Sequence, residues 1–197
     1  MLLYDSGLSG NCYKVRLLLA QLGLPYERRE VDVFDRSDRA RILGGLNPAQ
    51  RVPTLVFDDG RALAESGAIL NYFAEGTPLL PADRFERAQV LQWMFFEQYS
   101  HEPYIAVVRF WAHAGIEPEP HEREAKHRGG IAALEAMNAH LERRTYLVGE
   151  RYSIADIALY AYTHVAAEGG FDLGPYEALR EWLERIRRQA GHIPITA

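Results

Sequence analysis

The stretch "MLLYDSGLSGNCYKVRLLLAQLG", residues 1–23, changes its hydrophobic period from one element to the next. Its first five residues form a short apolar run, which is typical of a strand. After Asn11, the side chains of Val15, Leu18 and Leu19 recur at the spacing of one helix face, and Gly23 ends that pattern. The stretch therefore predicts a strand, a polar turn over "SGLSG" and a helix.

Four more elements follow in the first half of the chain. "YERREVDV", residues 26–33, alternates like a strand, and residues 40–46 predict a short helix that Asn47 and Pro48 end. "TLVFDDGRALA", residues 54–64, predicts a hairpin around an Asp-Gly turn, and a helix starts at Ser66. The order β-α-β-α-β-β-α predicts a small mixed sheet with helices on both faces, and so an α+β fold.

The second half of the chain has no strand signal. A Gly/Pro linker, "GTPLLPAD", separates the two halves, so we predict domains at residues 1–77 and 83–197. Ser153 and Asp156 have the spacing of a capping box before an apolar helix, which is a structural signal. The all-α second domain is predicted to hold helices over residues 85–114, 122–144, 153–166 and 176–188.

Composition excludes several classes of function. The chain has 197 residues, 48% of them apolar, and a net charge of −5 with scattered basic residues, so we expect no nucleic-acid partner. No apolar run reaches the roughly 18 residues of a membrane span, and the N-terminus does not resemble a signal peptide. The single cysteine and the widely spaced histidines predict no disulfide and no metal site. We therefore expect a cytoplasmic protein without a metal or a cofactor.

The turn "LSGNCYK", residues 8–14, carries the first candidate chemistry. A helix N-terminus presents backbone N–H groups and favours an anion. Ser9 could donate its hydroxyl proton to such an anion, or Cys12 could itself ionise, since the first turn of a helix lowers the pKa of a thiol. An equally good interpretation of this stretch alone is that Ser9 or Asn11 is a simple N-cap and Cys12 a small buried apolar residue.

Two later stretches carry further candidates. Val52-Pro53 precedes a strand, where a cis bond would turn the chain sharply, although a trans proline is the more common case. Glu65 and Ser66 place a carboxylate and a hydroxyl at a helix start, where they could hold the ammonium and carboxylate of an amino-acid-like ligand. A helix cap with an acidic neighbour explains the same two residues.

Taken together, these segments resemble the glutathione S-transferase family, and in particular bacterial cytosolic members of the serine type with an N-x-x-K motif. The resemblance rests on "LYDSGLSGNCYKVRLLLAQLGLPYE", "NPAQRVPTL", "ALAESGAIL" and "GERYSIADIALY" in this order. It implies a thioredoxin-like N-terminal domain, an all-α second domain, glutathione as co-substrate and a homodimer. The large apolar residues of the helix from Phe85 onward also favour a dimer.

The resemblance also implies roles for individual residues. Ser9 and Asn11 are expected to contact the glutathione sulfur as catalytic residues. The remaining glutathione contacts are expected from Lys14, Arg51, Val52, a cis Pro53, Glu65 and Ser66.

The second substrate is expected between the domains, against the first long helix. His101, Tyr104 and Val108 lie there on one face at helical spacing, which suits an electrophile with an apolar body, although ordinary core packing explains them equally well.

The main functional prediction is therefore conjugation of glutathione to an electrophilic small molecule. The alternatives are a glutathione-dependent disulfide reductase or peroxidase, and a non-catalytic interaction protein with the same fold. Ser9 stands where disulfide-reducing relatives that form a mixed disulfide carry a cysteine, and this favours conjugation.

Overall fold

The computed structural model describes residues 1–197, the whole sequence. The chain divides into two compact units, Met1–Glu75 together with Ala190–Ala197, and Gly76–Gln189. The predicted linker therefore marks the division, but the last eight residues belong to the first unit and not to the predicted second domain. The hydroxyl of Tyr13 donates to the carbonyl oxygen of Ile193, at 2.7 Å, and other side chains of the first unit hold the same segment.

The first unit has the predicted order of elements. The elements are β1 (Leu2–Asp5), α1 (Gly10–Gln21), β2 (Glu27–Glu30), α2 (Arg39–Leu43), β3 (Thr54–Val56), β4 (Ala62–Ala64) and α3 (Ser66–Ala74). The four-stranded sheet has the order β2-β1-β3-β4, with β1 parallel to β2 and antiparallel to β3, and β3 antiparallel to β4. This confirms the α+β fold and the β-α-β-α-β-β-α topology.

The side chains of β1 alternate between the two faces of the sheet and contribute to a hydrophobic cluster on each face. Leu3 packs with residues of α1 and α3, among them Val15 and Ile69, in one fully buried cluster. Tyr4 packs on the opposite face with Val31 and with Leu43 of α2. Successive strand residues point to opposite faces, so one short strand anchors two hydrophobic layers. Helices cover both faces of the sheet, as predicted.

The second unit is built from helices, as predicted, and its largest difference from the prediction lies in the first long helix. The predicted helix 85–114 is interrupted by a five-residue π-helical turn, Glu97–His101. Pro103, the second residue after this turn, has no N–H to continue an α-helical ladder, which accounts for the break. The helices are α4 (Arg84–Phe96), α5 (Glu102–Ala114), α6 (Pro120–Leu141), α7 (Ile154–Thr163) and α8 (Glu177–Arg187), with a short 3-10 turn at Ala166–Gly169.

The buried Asp156 carboxylate accepts hydrogen bonds from three segments of this unit. One carboxylate oxygen accepts the Ser153 N–H and hydroxyl, at 2.9 and 3.0 Å, which completes the predicted capping box. The other oxygen accepts the Leu147 N–H at 3.0 Å and the Trp182 indole N–H at 2.9 Å. One buried carboxylate therefore joins the start of α7 to α8 and to the segment before α7. None of the helices of the chain has the length and hydropathy of a membrane span.

Candidate functional site

The three segments that carry the predicted glutathione contacts lie at one end of the sheet. Tyr4, near the end of β1, pairs with Thr54 at the start of β3, and Thr54 pairs with Ala64 at the end of β4. The turn after β1, the Val52-Pro53 segment before β3 and Glu65 after β4 are therefore neighbours. Residues that are up to about sixty positions apart in the sequence form one candidate site.

Ser9 is the N-cap of α1. Its hydroxyl oxygen accepts the Cys12 N–H at 3.3 Å, and its side chain is partly exposed. A hydroxyl group has one proton and two acceptor positions, so an oxygen that accepts in the cap still has its proton to donate. The N-cap role of Ser9 is therefore compatible with donation of its hydroxyl proton to an anion, because the cap uses the oxygen as an acceptor only.

Asn11 lies in the first turn of α1 and links it to α3. The hydroxyl of Ser66, the first residue of α3, donates to Asn11 Oδ1 at 3.2 Å, although the two residues are 55 positions apart. The Lys14 ammonium donates to the same oxygen at 2.6 Å. The predicted sulfur contact and one of the predicted γ-glutamyl contacts are thus joined directly.

Cys12 is fully buried in the core of the first unit. Burial raises the pKa of its thiol far above the ordinary value, and the nearby carboxylate of Asp5 raises that pKa further. A thiol in this environment stays protonated and has no access to a substrate. Of the two interpretations of Cys12, the structure supports the small buried residue.

The segment before β3 has the predicted backbone. The Val52-Pro53 peptide bond is cis, which confirms the expectation from the resemblance. The side-chain amide of the buried Asn47 donates to the Arg51 carbonyl oxygen at 2.9 Å, and the Thr54 hydroxyl donates to the same oxygen at 2.8 Å. The segment is therefore held on both sides, while the Arg51 side chain extends into solvent.

Glu65 adopts an uncommon backbone conformation immediately before α3. Its φ is 66° and its ψ is 115°, a region that a residue with a Cβ rarely occupies and that costs on the order of 1–3 kcal/mol. Its carboxylate side chain is exposed, whereas Ser66 is buried. Strain of this kind persists where the surrounding structure imposes it, and it often accompanies a functional site.

The three residues predicted to line the electrophile site differ in exposure. His101 is fully buried, and its Nε2 lies 2.9 Å from the Thr163 hydroxyl, while Val108 is 5% exposed. Tyr104 keeps accessible surface, and the Lys126 ammonium lies 5.3 Å from the centre of its ring. His101 belongs to the π-helical turn, so α-helical spacing does not place it on the same face as Tyr104 and Val108 of α5.

A cleft of about 490 Å³ opens in the first unit beside the turn that carries Ser9. Leu8, Val33 and Phe34 contribute apolar side chains to it, and Thr196 lines it from the C-terminal segment. Its volume is within the range of small-molecule sites. No local sequence signal predicts this cleft, since Thr196 lies far from the other lining residues in the chain.

A buried ion cluster at the end of β1 has no signal in the sequence. One oxygen of the buried Asp5 carboxylate accepts from the Arg16 guanidinium at 3.0 Å and from Arg28 Nε at 2.6 Å. Arg16 donates in addition to the Ile195 carbonyl oxygen at 2.7 Å. No motif marks these residues, because helical periodicity assigns an arginine to the surface and not to a fully buried position.

Two family models match the chain over these regions. The model of the glutathione S-transferase N-terminal domain matches residues 3–80, and the model of the C-terminal domain matches residues 92–190. The chain belongs to the glutathione S-transferase family.

Individual glutathione S-transferases and related proteins are similar over nearly the whole chain. The crystal structure of a glutathione S-transferase from Pseudomonas fluorescens Pf-5 is 48% identical, with a TM-score of 0.95, and the match covers 100% of this chain and 98% of that one. A protein from Rhodopseudomonas palustris, described as a possible glutathione S-transferase, is 44% identical with the same TM-score and the same coverage. The disulfide-bond oxidoreductase YfcG of Escherichia coli K12 is 33% identical over 90% of this chain and 86% of its own length.

Proposed function

We propose that this protein binds glutathione at the sheet end that carries Ser9, Asn11 and Ser66, and that it activates the thiol for conjugation to an electrophilic small molecule. The observation that carries the proposal is the direct link between the N-termini of α1 and α3, where Ser66 donates to Asn11 at 3.2 Å. This link brings donors for a sulfur anion and a helix N-terminus for a carboxylate into one site of a chain of the glutathione S-transferase family.

The chemistry requires that glutathione be ionised near neutral pH. Its thiol has a pKa close to that of free cysteine, about 8.5, and lowering that pKa by about 2 units requires about 2.7 kcal/mol of preferential stabilisation of the anion. A hydrogen bond to a charged group contributes about 1.5–3 kcal/mol, and a helix N-terminus contributes up to about 2 kcal/mol. The Ser9 hydroxyl, the Asn11 amide and the start of α1 are sufficient for this shift without a protein thiol.

The other parts of glutathione suit the other segments of the site. The α-carboxylate of the γ-glutamyl group binds at the N-terminus of α3 and the Ser66 hydroxyl, while Glu65 pairs with its ammonium. The Val52 backbone pairs with the cysteinyl residue, and the exposed Arg51 reaches the glycine carboxylate. These contacts bind glutathione equally in the ground state and the transition state, so they set affinity and not the rate of the chemical step.

The electrophile requires an apolar surface next to the sulfur. The cleft beside Ser9, with Leu8, Val33 and Phe34, supports a co-substrate with an apolar body. Within the helical unit, His101 and Val108 are buried, so neither side chain is available to such a co-substrate, whereas Tyr104 keeps accessible surface. The thiolate attacks the electrophilic carbon, a C–S bond forms, and either a leaving group departs or the adduct takes up a proton.

Disulfide reduction is a second candidate, which the similarity to the oxidoreductase YfcG favours. The same bound thiolate can attack a disulfide, form a mixed disulfide with one half and release the other half as a thiolate. This reaction uses the sulfur of glutathione as nucleophile, so the burial of Cys12 does not exclude it.

We propose that the protein is a homodimer. Large apolar side chains on and next to α4 are exposed in the single chain, which supports burial against a second copy. They include Phe85, Leu91, Phe95 and Tyr99, with 72%, 41%, 68% and 84% of their surface accessible.

Two assays test the proposed function. Retention on immobilised glutathione, with elution by free glutathione, tests the glutathione site, and catalysed turnover of glutathione with a second substrate separates an enzyme from an interaction protein with the same fold. Among retained proteins, kcat/KM is compared for halogenated aromatics, isothiocyanates, peroxides and small disulfides. Conjugation predicts higher values for the carbon electrophiles, and higher values for the disulfides would replace it with the oxidoreductase function.

A further inference from the structure

Lys14 is a buried cation next to the candidate sulfur site. Its side chain is 1% exposed, and its ammonium donates to Asn11 Oδ1 at 2.6 Å. An ammonium is costly to bury unless polar partners surround it. Because it has almost no accessible surface, Lys14 is poorly placed to touch a bound peptide. This differs from the direct glutathione contact that the resemblance implies.

The contact with Lys14 fixes the orientation of the Asn11 amide. An ammonium has three donors and no acceptor, so the Asn11 atom that it contacts must be the oxygen. Ser66 Oγ lies 3.2 Å from the same oxygen and must therefore donate its proton to it. With Oδ1 held by two donors, the NH₂ group of Asn11 is directed away from Lys14 and Ser66. If the amide were flipped, its oxygen would point where the NH₂ group now points, and it would repel a thiolate on that side.

We propose that Lys14 is a positioning residue, which holds Asn11 with its NH₂ group toward the sulfur of glutathione and acts on the thiolate through that amide. The inference rests on the proposed function and assigns a role within the same site. Ser66 alone cannot perform this role when glutathione is bound. Its hydroxyl has one proton, and once the γ-glutamyl carboxylate takes that proton, Ser66 no longer holds Asn11 Oδ1, whereas the Lys14 ammonium still donates to it.

Positioning and direct electrostatics make different predictions for a double-mutant cycle. If Lys14 acts through the amide, Lys14→Met has no further effect once Asn11 is alanine. If its charge acts on the sulfur directly, the two substitutions are independent and their effects on the thiol pKa add. The readout is the apparent pKa of bound glutathione, taken from the pH dependence of kcat/KM.

We expect Lys14→Met and Asn11→Ala each to lower kcat/KM near neutral pH by about tenfold, the factor that corresponds to one pKa unit. The double variant should match Asn11→Ala within about threefold. A loss near a hundredfold in the double variant would overturn the proposal. Lys126→Met is the matched control, because it removes the only other lysine and donates to the Pro103 carbonyl oxygen in the helical unit. It should leave the profile unchanged.

Two further measurements keep the proposal testable if Lys14→Met folds poorly or if glutathione does not bind. Asn11→Asp keeps an acceptor for Lys14 and removes the NH₂ group, so it should fold like the wild type and raise the thiol pKa at least as much as Asn11→Ala. Nuclear magnetic resonance of the Asn11 side-chain NH₂ group, without glutathione, should show restricted motion in the wild type and averaging in Lys14→Met. Unchanged motion in Lys14→Met would overturn the positioning role while leaving the proposed function intact. Wild-type protein that fails to bind glutathione would overturn the proposed function while leaving the contact between Lys14 and Asn11 intact.

Discussion

Replacing Ser9 with alanine removes two interactions at once, and their sizes can be worked out separately. The hydroxyl caps α1 by accepting the Cys12 N–H at 3.3 Å, and loss of such a cap costs about 1 kcal/mol. In a chain of this length, 1 kcal/mol corresponds to a fall of about 2–4 °C in Tm. The same hydroxyl is proposed to donate to the glutathione thiolate, which is worth about 1.5–3 kcal/mol, or about 1–2 units of the thiol pKa.

The sign of the pH dependence follows from the pKa of the thiol. Without the Ser9 hydrogen bond the thiol pKa rises, so the reactive thiolate is scarcer at every pH below the new pKa. We expect kcat/KM of Ser9→Ala to fall about 10- to 100-fold near pH 6.5 and to recover to within a few-fold above pH 9, where glutathione ionises unaided. The assay is a conjugation rate with a model electrophile across this range, together with a thermal melt.

Matched variants separate the possible outcomes. Ser9→Thr keeps the hydroxyl and should keep the profile. Cys12→Ala should also keep it, since the Cys12 thiol is buried and protonated. A Ser9→Ala profile that superimposes on the wild type would refute the reasoning, as would an inactive Cys12→Ala in a protein that forms a mixed disulfide at Cys12. A larger loss in Asn11→Ala than in Ser9→Ala would assign the main sulfur contact to the amide.

Three other predictions concern binding, stability and assembly. Glu65→Ala and Ser66→Ala should raise KM for glutathione several-fold in steady-state kinetics with kcat nearly unchanged, because both residues are proposed to contact the end of glutathione that does not react. A large fall in kcat at constant KM would contradict this assignment. Asp156→Asn should lower the free energy of unfolding by about 2–5 kcal/mol in denaturant titrations, because the amide NH₂ faces buried donors whichever way it turns. An unchanged midpoint would count against a structural role of the carboxylate. Light scattering at micromolar concentration should give the mass of a dimer for the wild type and the mass of a monomer for the double variant Phe95→Glu/Tyr99→Glu. A monomeric wild type would rule the dimer out.

The fold was largely predictable because its elements carry local signals. Val15, Leu18 and Leu19 lie at helical spacing in the sequence, and all three are fully buried in α1. The hairpin residues around Asp59-Gly60 and the capping box at Ser153 likewise depend on side chains within a few positions of each other. Local rules of this kind determine the elements and their order, and the order then restricts the topology.

The long-range contacts of the site were not predictable in the same way. Helical periodicity would place Lys14 and Arg16 at the surface, yet both are buried because Asn11, Asp5 and the C-terminal segment supply their partners. The contact between Asn11 and Ser66 depends on the register of three strands. The resemblance named the residues of the site, whereas the roles of Lys14 and Cys12 depend on burial, which the sequence does not show.

The account depends most on the claim that the site ionises the thiol of glutathione. The direct measurement is a pH titration of the thiolate ultraviolet absorbance of glutathione bound to the wild-type protein, against free glutathione and against the complex with Ser9→Ala. We predict a bound-thiol pKa about 2 units below the free value of about 8.5, with a part of that shift lost in Ser9→Ala. A bound thiol that titrates with the free value in the wild type would contradict the account.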